Sequence, residues 1–304
     1  MSMRNFVPRA DSEGSVGTAA KNWGAVYTGH VRLKDTSNVA AAHNGIFRGK
    51  DLTSYFESGQ MSTDIAAGKF DDIYIGDYIT KTVNLPAITY TDKAGTEVQK
   101  AAVNYPNVKW LVAGIDSHLL TGDGAGTTAH HVVFISESTL QGYVGMNPTG
   151  DTTGGYLGSD MWRIHMPNWS AAIKAAFGES HVVKYRDWLS NAINATAPSG
   201  AGSGWTGASS SWAWADVEVN IPNEQMIYGG RTFGSGHDCG SFSMQLPLFA
   251  MKQYVGSNSR TWYWLRTVAT ASAFAYVNGT GIADALNAST ANASGGIRPY
   301  FLLR

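Results

Sequence analysis

Cysteine is almost absent from this chain. With Cys239 the single one among 304 residues, no intrachain disulfide and no multi-thiolate metal site can form. The chain is therefore expected to be made in a reducing cytoplasm and held together by packing or association. Charge is scarce too: Asp, Glu, Lys and Arg make up 15% of residues, well under the usual ~25%. The net charge is −1 with no Lys/Arg cluster, which argues against a nucleic-acid partner. No apolar run approaches the ~18 residues of a membrane span. The opening MSMRNFVPRADSEG lacks an apolar signal core, so neither membrane insertion nor Sec export is expected. What the chain has in quantity is glycine and aromatics, with 35 Gly, 10 Trp and 14 Tyr. Such a composition suits short strands, many turns and loops that meet neutral ligands.

Residues 1–45 read differently from the rest. Turn chemistry at 8–17 leads into a half-buried strand over 26–33, and 37–44 reads as a hinge. A segment of this size cannot form its own core, so it needs a partner surface. The main domain is expected over 46–304. Near its start, Leu52, Tyr55 and Phe56 have helical spacing, and Ser54 with Glu57 has the spacing of a capping box. Residues 70–79 alternate like a strand broken at Gly76, and Asp92-Lys93-Ala94-Gly95 turns a hairpin. Residues 108–115 and 132–135 read as buried strands, separated by a Gly/Thr loop at 121–128.

Trp169, Ala172, Ile173, Ala176 and Phe177 predict a helix over 168–177 that Gly178 stops. Trp188, Leu189 and Ala192 predict a second helix over 183–193. Residues 198–211, PSGAGSGWTGASSS, predict a flexible loop carrying Trp205, and 262–303 predict three or four short strands. The class is α+β, with short strands and two central helices after a small β-rich N-terminal segment.

Several clusters invite a chemical reading. His130-His131 are neighbours on a strand, point to opposite faces and cannot hold one ion together, so they read as an ordinary strand edge. Asp71, Asp72 and Asp77 lack the alternating oxygen ligands of a calcium loop and read as solvated turn residues. His237-Asp238-Cys239 places three triad residue types in a row, but sequence neighbours rarely make a working triad, so it reads as a Gly-flanked loop. Arg266 and Arg298 sit in apolar runs beside aromatics and are expected to brace the frame. Trp205, Trp212, Trp214 and Tyr276 offer rings on which a glycan could stack without a metal. For Trp212 and Trp214 core packing is the preferred role, whereas Trp205 stands in a Gly/Ser loop. No cofactor and no metal are expected.

Two segments carry family resemblances. Residues 9–27, RADSEGSVGTAAKNWGAVY, resemble the N-terminal element of many phage fibre and appendage proteins. The resemblance implies virion attachment or oligomerisation, through Arg9, Asp11, Glu13, Trp23 and Tyr27. Residues 150–304 resemble the C-type-lectin-like domains of gut phages and Gram-positive prophages. That group is related to the formylglycine-generating-enzyme-like fold and to receptor-binding proteins diversified by retroelements. The matches run in order through GYLGSDMW (155–162), YRDWLSNA (185–192), QLPLF (245–249), WLR (264–266) and GIRPY (296–300). Two departures matter. A single cysteine cannot supply the paired thiols of the oxidases, and the calcium-lectin tripeptides are missing, Ile221-Pro222-Asn223-Glu224 being only a near miss.

The resemblance implies a surface presented between Arg266 and Gly296, and the residues agree. Positions 267–296 are small and polar with scattered aromatics, as in binding loops that cost little side-chain entropy to order. The expected contacts are Tyr276, Asn278, Thr280, Asp284, Asn287, Ser289, Asn292 and Trp205. A plain polar hairpin on a structural domain fits the same composition. The expected function is that of a phage virion surface protein, a tail fibre or spike assembled in the host cytoplasm. It would bind a host-surface glycan or protein non-covalently, join other virion proteins through its N-terminal segment, and form a homotrimer. A capsid head fibre or decoration protein is the alternative. A glycan-degrading tail enzyme, marked by two carboxylates converging in a deep pocket, is the weaker third.

Overall fold

The computed structural model describes residues 48–304, apart from 125–126, 143–144, 197–206, 241–243 and 291–294. The expected attachment residues, the 26–33 strand, the 37–44 hinge, Trp205 and Asn292 lie outside the described residues.

Two short helices open the described chain, α1 (Thr53–Glu57) and α2 (Gln60–Ala66). The capping box does not form: Leu52 holds the N-cap position without a side-chain bond. Asp51 accepts the Thr53 N–H at 2.8 Å instead, and Glu57 pairs with Lys81 at 3.1 Å. The strand expected over 70–79 is also corrected. Turns run to Gly76, and β1 (Tyr78–Leu85) starts only after them. The cause is Asp77, which is fully buried. Its carboxylate accepts the N–H groups of Lys50 and Tyr74 at 2.9 and 3.0 Å and pairs with Arg48. Nor is Asp77 a solvated turn residue, because that ion pair compensates its burial.

The hairpin of β2 (Ile88–Thr91) and β3 (Glu97–Lys100) forms around the Asp92 turn as the sequence predicts. β4 (Val103–Ile115) and β5 (Val132–Ser136) are the buried strands. A π-helical turn at Met161–His165 leads into α3 (Met166–Phe177). α3 buries Trp169, Ala172, Ile173 and Phe177, and Gly178 ends it at φ 93°, in the left-handed region open to glycine.

The second central helix does not exist. Residues 185–193 form β6 (Tyr185–Ile193), paired antiparallel with β7 (Ser209–Val217). A helix would scatter Tyr185, Asp187 and Leu189 around its circumference. In the strand all three point inward and are buried. There Tyr185 meets the Tyr300 hydroxyl at 2.7 Å and Asp187 meets Arg266 at 2.8 Å. β8 (Val219–Asn220) and α4 (Glu224–Tyr228) follow, and Asn223 caps α4 by accepting the Met226 N–H at 2.8 Å. The near-miss tripeptide is thus a helix start.

The C-terminal part holds five strands, not three or four: β9 (Trp262–Val268), β10 (Ala273–Val277), β11 (Ala283–Asn287), β12 (Gly295–Gly296) and β13 (Tyr300–Leu303). The main sheet runs β1-β4-β5-β13-β8 and the second β11-β10-β9-β12. β13 lies between β5 and β8 and every residue of it is buried, which is why Tyr300 to Leu303 are apolar without alternation. α3 packs across β1 and β8, closing a core in which Phe301 meets Trp110, Phe134 and Phe177 at ring separations of 5.4, 6.0 and 4.8 Å. The mixed α+β class is what the described residues adopt.

Candidate recognition face

The second sheet carries the residues that the sequence singles out. Antiparallel register sets Tyr276 of β10 opposite Trp264 of β9 on one side and Asp284 of β11 on the other. Alternation puts Trp262 on the same face as Trp264, and their rings lie 5.1 Å apart. Tyr276 stands edge-on to both, at 5.8 and 6.3 Å. Trp264 is fully buried, while Trp262 and Tyr276 are half-buried. The Tyr276 hydroxyl donates to Asp284 at 3.1 Å. Burial first, and then this carboxylate, raise the phenol's pKa above its usual value, so at neutral pH it is a neutral donor. β11 is the sheet edge, with Asp284 and Asn287 exposed and Ile282 61% exposed just before it.

The structure brings the expected contact residues together in pairs, not as one patch. Asn278 Oδ1 accepts the N–H groups of Thr280 and Ile282 at 2.9 and 3.0 Å and the Thr280 hydroxyl at 2.7 Å. Asn287 Oδ1 accepts the Ser289 N–H at 3.1 Å and its hydroxyl at 2.7 Å. These side chains build Asx turns at opposite ends of the β10–β11 hairpin, roughly 15 Å apart at the rise of a strand. Tyr276 and Asp284 occupy the middle.

Both buried arginines brace this sheet. Arg266 pairs with Asp187 at 2.8 Å, the two side chains 5% and 1% exposed, and donates to the Tyr300 hydroxyl at 2.8 Å. Burial works against its charge, yet Asp187 raises its pKa beyond even the ordinary guanidinium range. Arg298 donates to the carbonyls of Ser136 and Tyr254 at 2.9 and 2.7 Å and lies over the rings of Tyr263 and Phe249.

The remaining clusters resolve as follows. His130 pairs with Asp116 at 2.6 Å. His131 turns inward, donating to the Ala129 carbonyl at 2.8 Å and accepting the His118 N–H at 3.1 Å. Among the described residues no three His, Cys, Asp or Glu side chains gather as a metal site, and no helix is long and apolar enough to cross a membrane. Asp238 accepts the Trp212 indole N–H at 2.8 Å and the Ser235 N–H at 3.0 Å.

Glu224 and Asp238 line a cavity of about 240 Å³ with Arg231, Cys239 and Thr267. Burial raises the pKa of both carboxyls. Glu224, however, accepts main-chain N–H groups from Thr232, Phe233 and Gly234, so its oxygens are committed to the loop. A wider cleft of about 780 Å³ runs between α3 and β7. Its Lys174 is tied to Glu218 and Glu179 at 3.0 Å each, and its Lys184 to Asp216 at 2.5 Å.

The sequence offers Trp214 as a stacking ring but prefers core packing for it. The structure leaves it half-exposed, in a surface pocket with Leu120, Thr121, Gly122, Trp188 and Gly240 that sequence reasoning misses. Reading 183–193 as a helix hides the Trp188–Trp214 cross-strand pair. The alternation of Arg186, Trp188 and Ser190 was the signal available. Against protein-family models, curated proteins and solved structures, the chain has no match.

Proposed function

We propose that this chain is a phage virion surface protein whose C-terminal domain, of the C-type-lectin-like kind, recognises the bacterial surface without chemistry. The observation that carries the reading is the aromatic group of Trp262, Trp264 and Tyr276. It is fixed on a braced sheet and opens onto an exposed edge strand whose turns are held by their own side chains. Rigid aromatics flanked by preset polar turns are what a recognition surface needs, because little entropy is lost when a partner arrives. Residues 1–45 would join the chain to the particle and to two further copies of itself, a reading that rests on the resemblance of residues 9–27.

A capsid position is the second reading, since the same face serves a head fibre equally well. Antibody labelling of intact particles in electron micrographs separates the two. Label at the tail tip is the expected result. Label on the head supports the capsid reading, and unlabelled particles contradict both. The enzyme reading would have to use Glu224 and Asp238. Their hydrogen bonds to main-chain and indole N–H groups favour a structural role for the pair.

A further inference from the structure

We infer that the pocket between Leu120 and the Trp188–Trp214 pair is a second binding site, one that takes a neutral pyranose sugar. It lies on the β6–β7 hairpin and does not depend on the reading of the C-terminal face.

Four observations converge on it. Trp188 and Trp214 face each other directly across the hairpin, their rings 5.0 Å apart and tilted by 57°, and both are half-exposed. Among the described residues neither indole N–H is bonded, so each wall supplies an apolar face and a free donor, the combination that meets a sugar ring and its hydroxyls. Leu120 is 75% exposed and sits at φ 60°. This left-handed conformation is unfavourable for leucine and is held by a bond from its N–H to the Thr127 carbonyl at 2.7 Å. Strain of this kind, spent on displaying an apolar side chain to solvent, clusters at functional sites.

The charges beside the pocket are already spoken for. Arg186 holds Asp123 through two bonds of 2.7 and 3.0 Å and Asp216 through a third of 3.1 Å. This pins the Leu120 loop to the hairpin and commits the Arg186 guanidinium to carboxylates already present. Lastly, Gly240 of the lining packs directly on a buried ion pair. It passes so close to Arg266 and Asp187 that a Cβ there would lie 2.5 Å from the Arg266 guanidinium. The site is an open, shallow depression, so a sugar would lie against the rings by one face and would not be enclosed.

The test is a titration of the full chain, labelled at its tryptophan indole nitrogens, with cellobiose, maltose and N,N′-diacetylchitobiose. Trp188→Phe and Trp214→Phe assign the two signals. At least one disaccharide is expected to shift both in a saturable way, with affinity in the millimolar range usual for a small neutral ligand. Leu120→Gly relieves the backbone strain, so it should fold with an equal or higher Tm and yet bind at least tenfold more weakly. Either of two results overturns the proposal: indole signals unmoved by all three sugars, or unchanged affinity in Leu120→Gly. Concentration-dependent shifts of the same two signals without sugar would assign the pocket to a second copy of the chain and overturn it as well.

Discussion

Arg266 and Asp187 illustrate how much of this molecule hangs on single residues. Both are buried, and each compensates the other's charge. Removing one partner strands the other in a dry interior, which costs about 3–5 kcal/mol. Asp187→Ala is therefore expected to lower the Tm by roughly 10 °C, as thermal unfolding would record. Replacing both together with apolar residues, Asp187→Leu with Arg266→Met, should recover most of that loss. A double variant as unstable as the single one would mean that the pair is not what braces the sheet. Sequence alone located Arg266 as a brace, because an arginine inside Trp-Leu-Arg can only be there with a partner. It did not disclose the partner, since Asp187 is 79 positions away and was read on the wrong element.

At the scale of elements, the turns of the β10–β11 hairpin are set by Asn278 and Asn287, side chains that the sequence offers as ligand contacts. Asn278→Ala removes the acceptor for three donors and is expected to cost about 1–2 kcal/mol, lowering the Tm by a few degrees. Asp284→Lys, on an exposed strand position, should stay within about 0.5 kcal/mol. Loss of binding in an Asn278 variant would thus mix folding with recognition. The hairpin at Asp92, strands β4, β5 and β13 and helix α3 were legible, because local periodicity and turn chemistry agree there with the tertiary outcome. Residues 183–193 were not. Trp188, Leu189 and Ala192 satisfy a helical stripe while Tyr185, Asp187 and Leu189 line one strand face, and only the long-range pairing with 209–217 decides between them. Asp77 was misread for a related reason: its partners Arg48 and Lys50 lie on a segment whose path the sequence does not give.

For the molecule as a whole, three buried histidines lower stability in acid, working against Glu224 and Asp238, whose raised pKa acts in the opposite direction. Burial, reinforced by the charges of His131 and Arg266, drives His118 well below its usual pKa. Burial with Lys100 nearby drives His165 down to about 3, and burial lowers His131 as well. In the unfolded chain these rings take up protons near pH 6.5, while the folded protein keeps them neutral. Unfolding therefore binds protons, and stability falls as pH drops below about 6.5, on the order of 1 kcal/mol per pH unit for each histidine. The Tm should be clearly lower at pH 5 than at pH 7; an equal or higher value at pH 5 would contradict the burial of these rings.

The central claim, that the exposed edge beside Tyr276 meets the bacterial surface, is tested most directly by binding of the fluorescently labelled full chain to bacterial cells. The wild type is compared with the double variant Ile282→Glu, Asp284→Lys, whose sites are both exposed. The account predicts saturable binding by the wild type and at least a tenfold loss in the variant, equivalent to about 1.4 kcal/mol, with little change in Tm. Equal binding by the two proteins would contradict it.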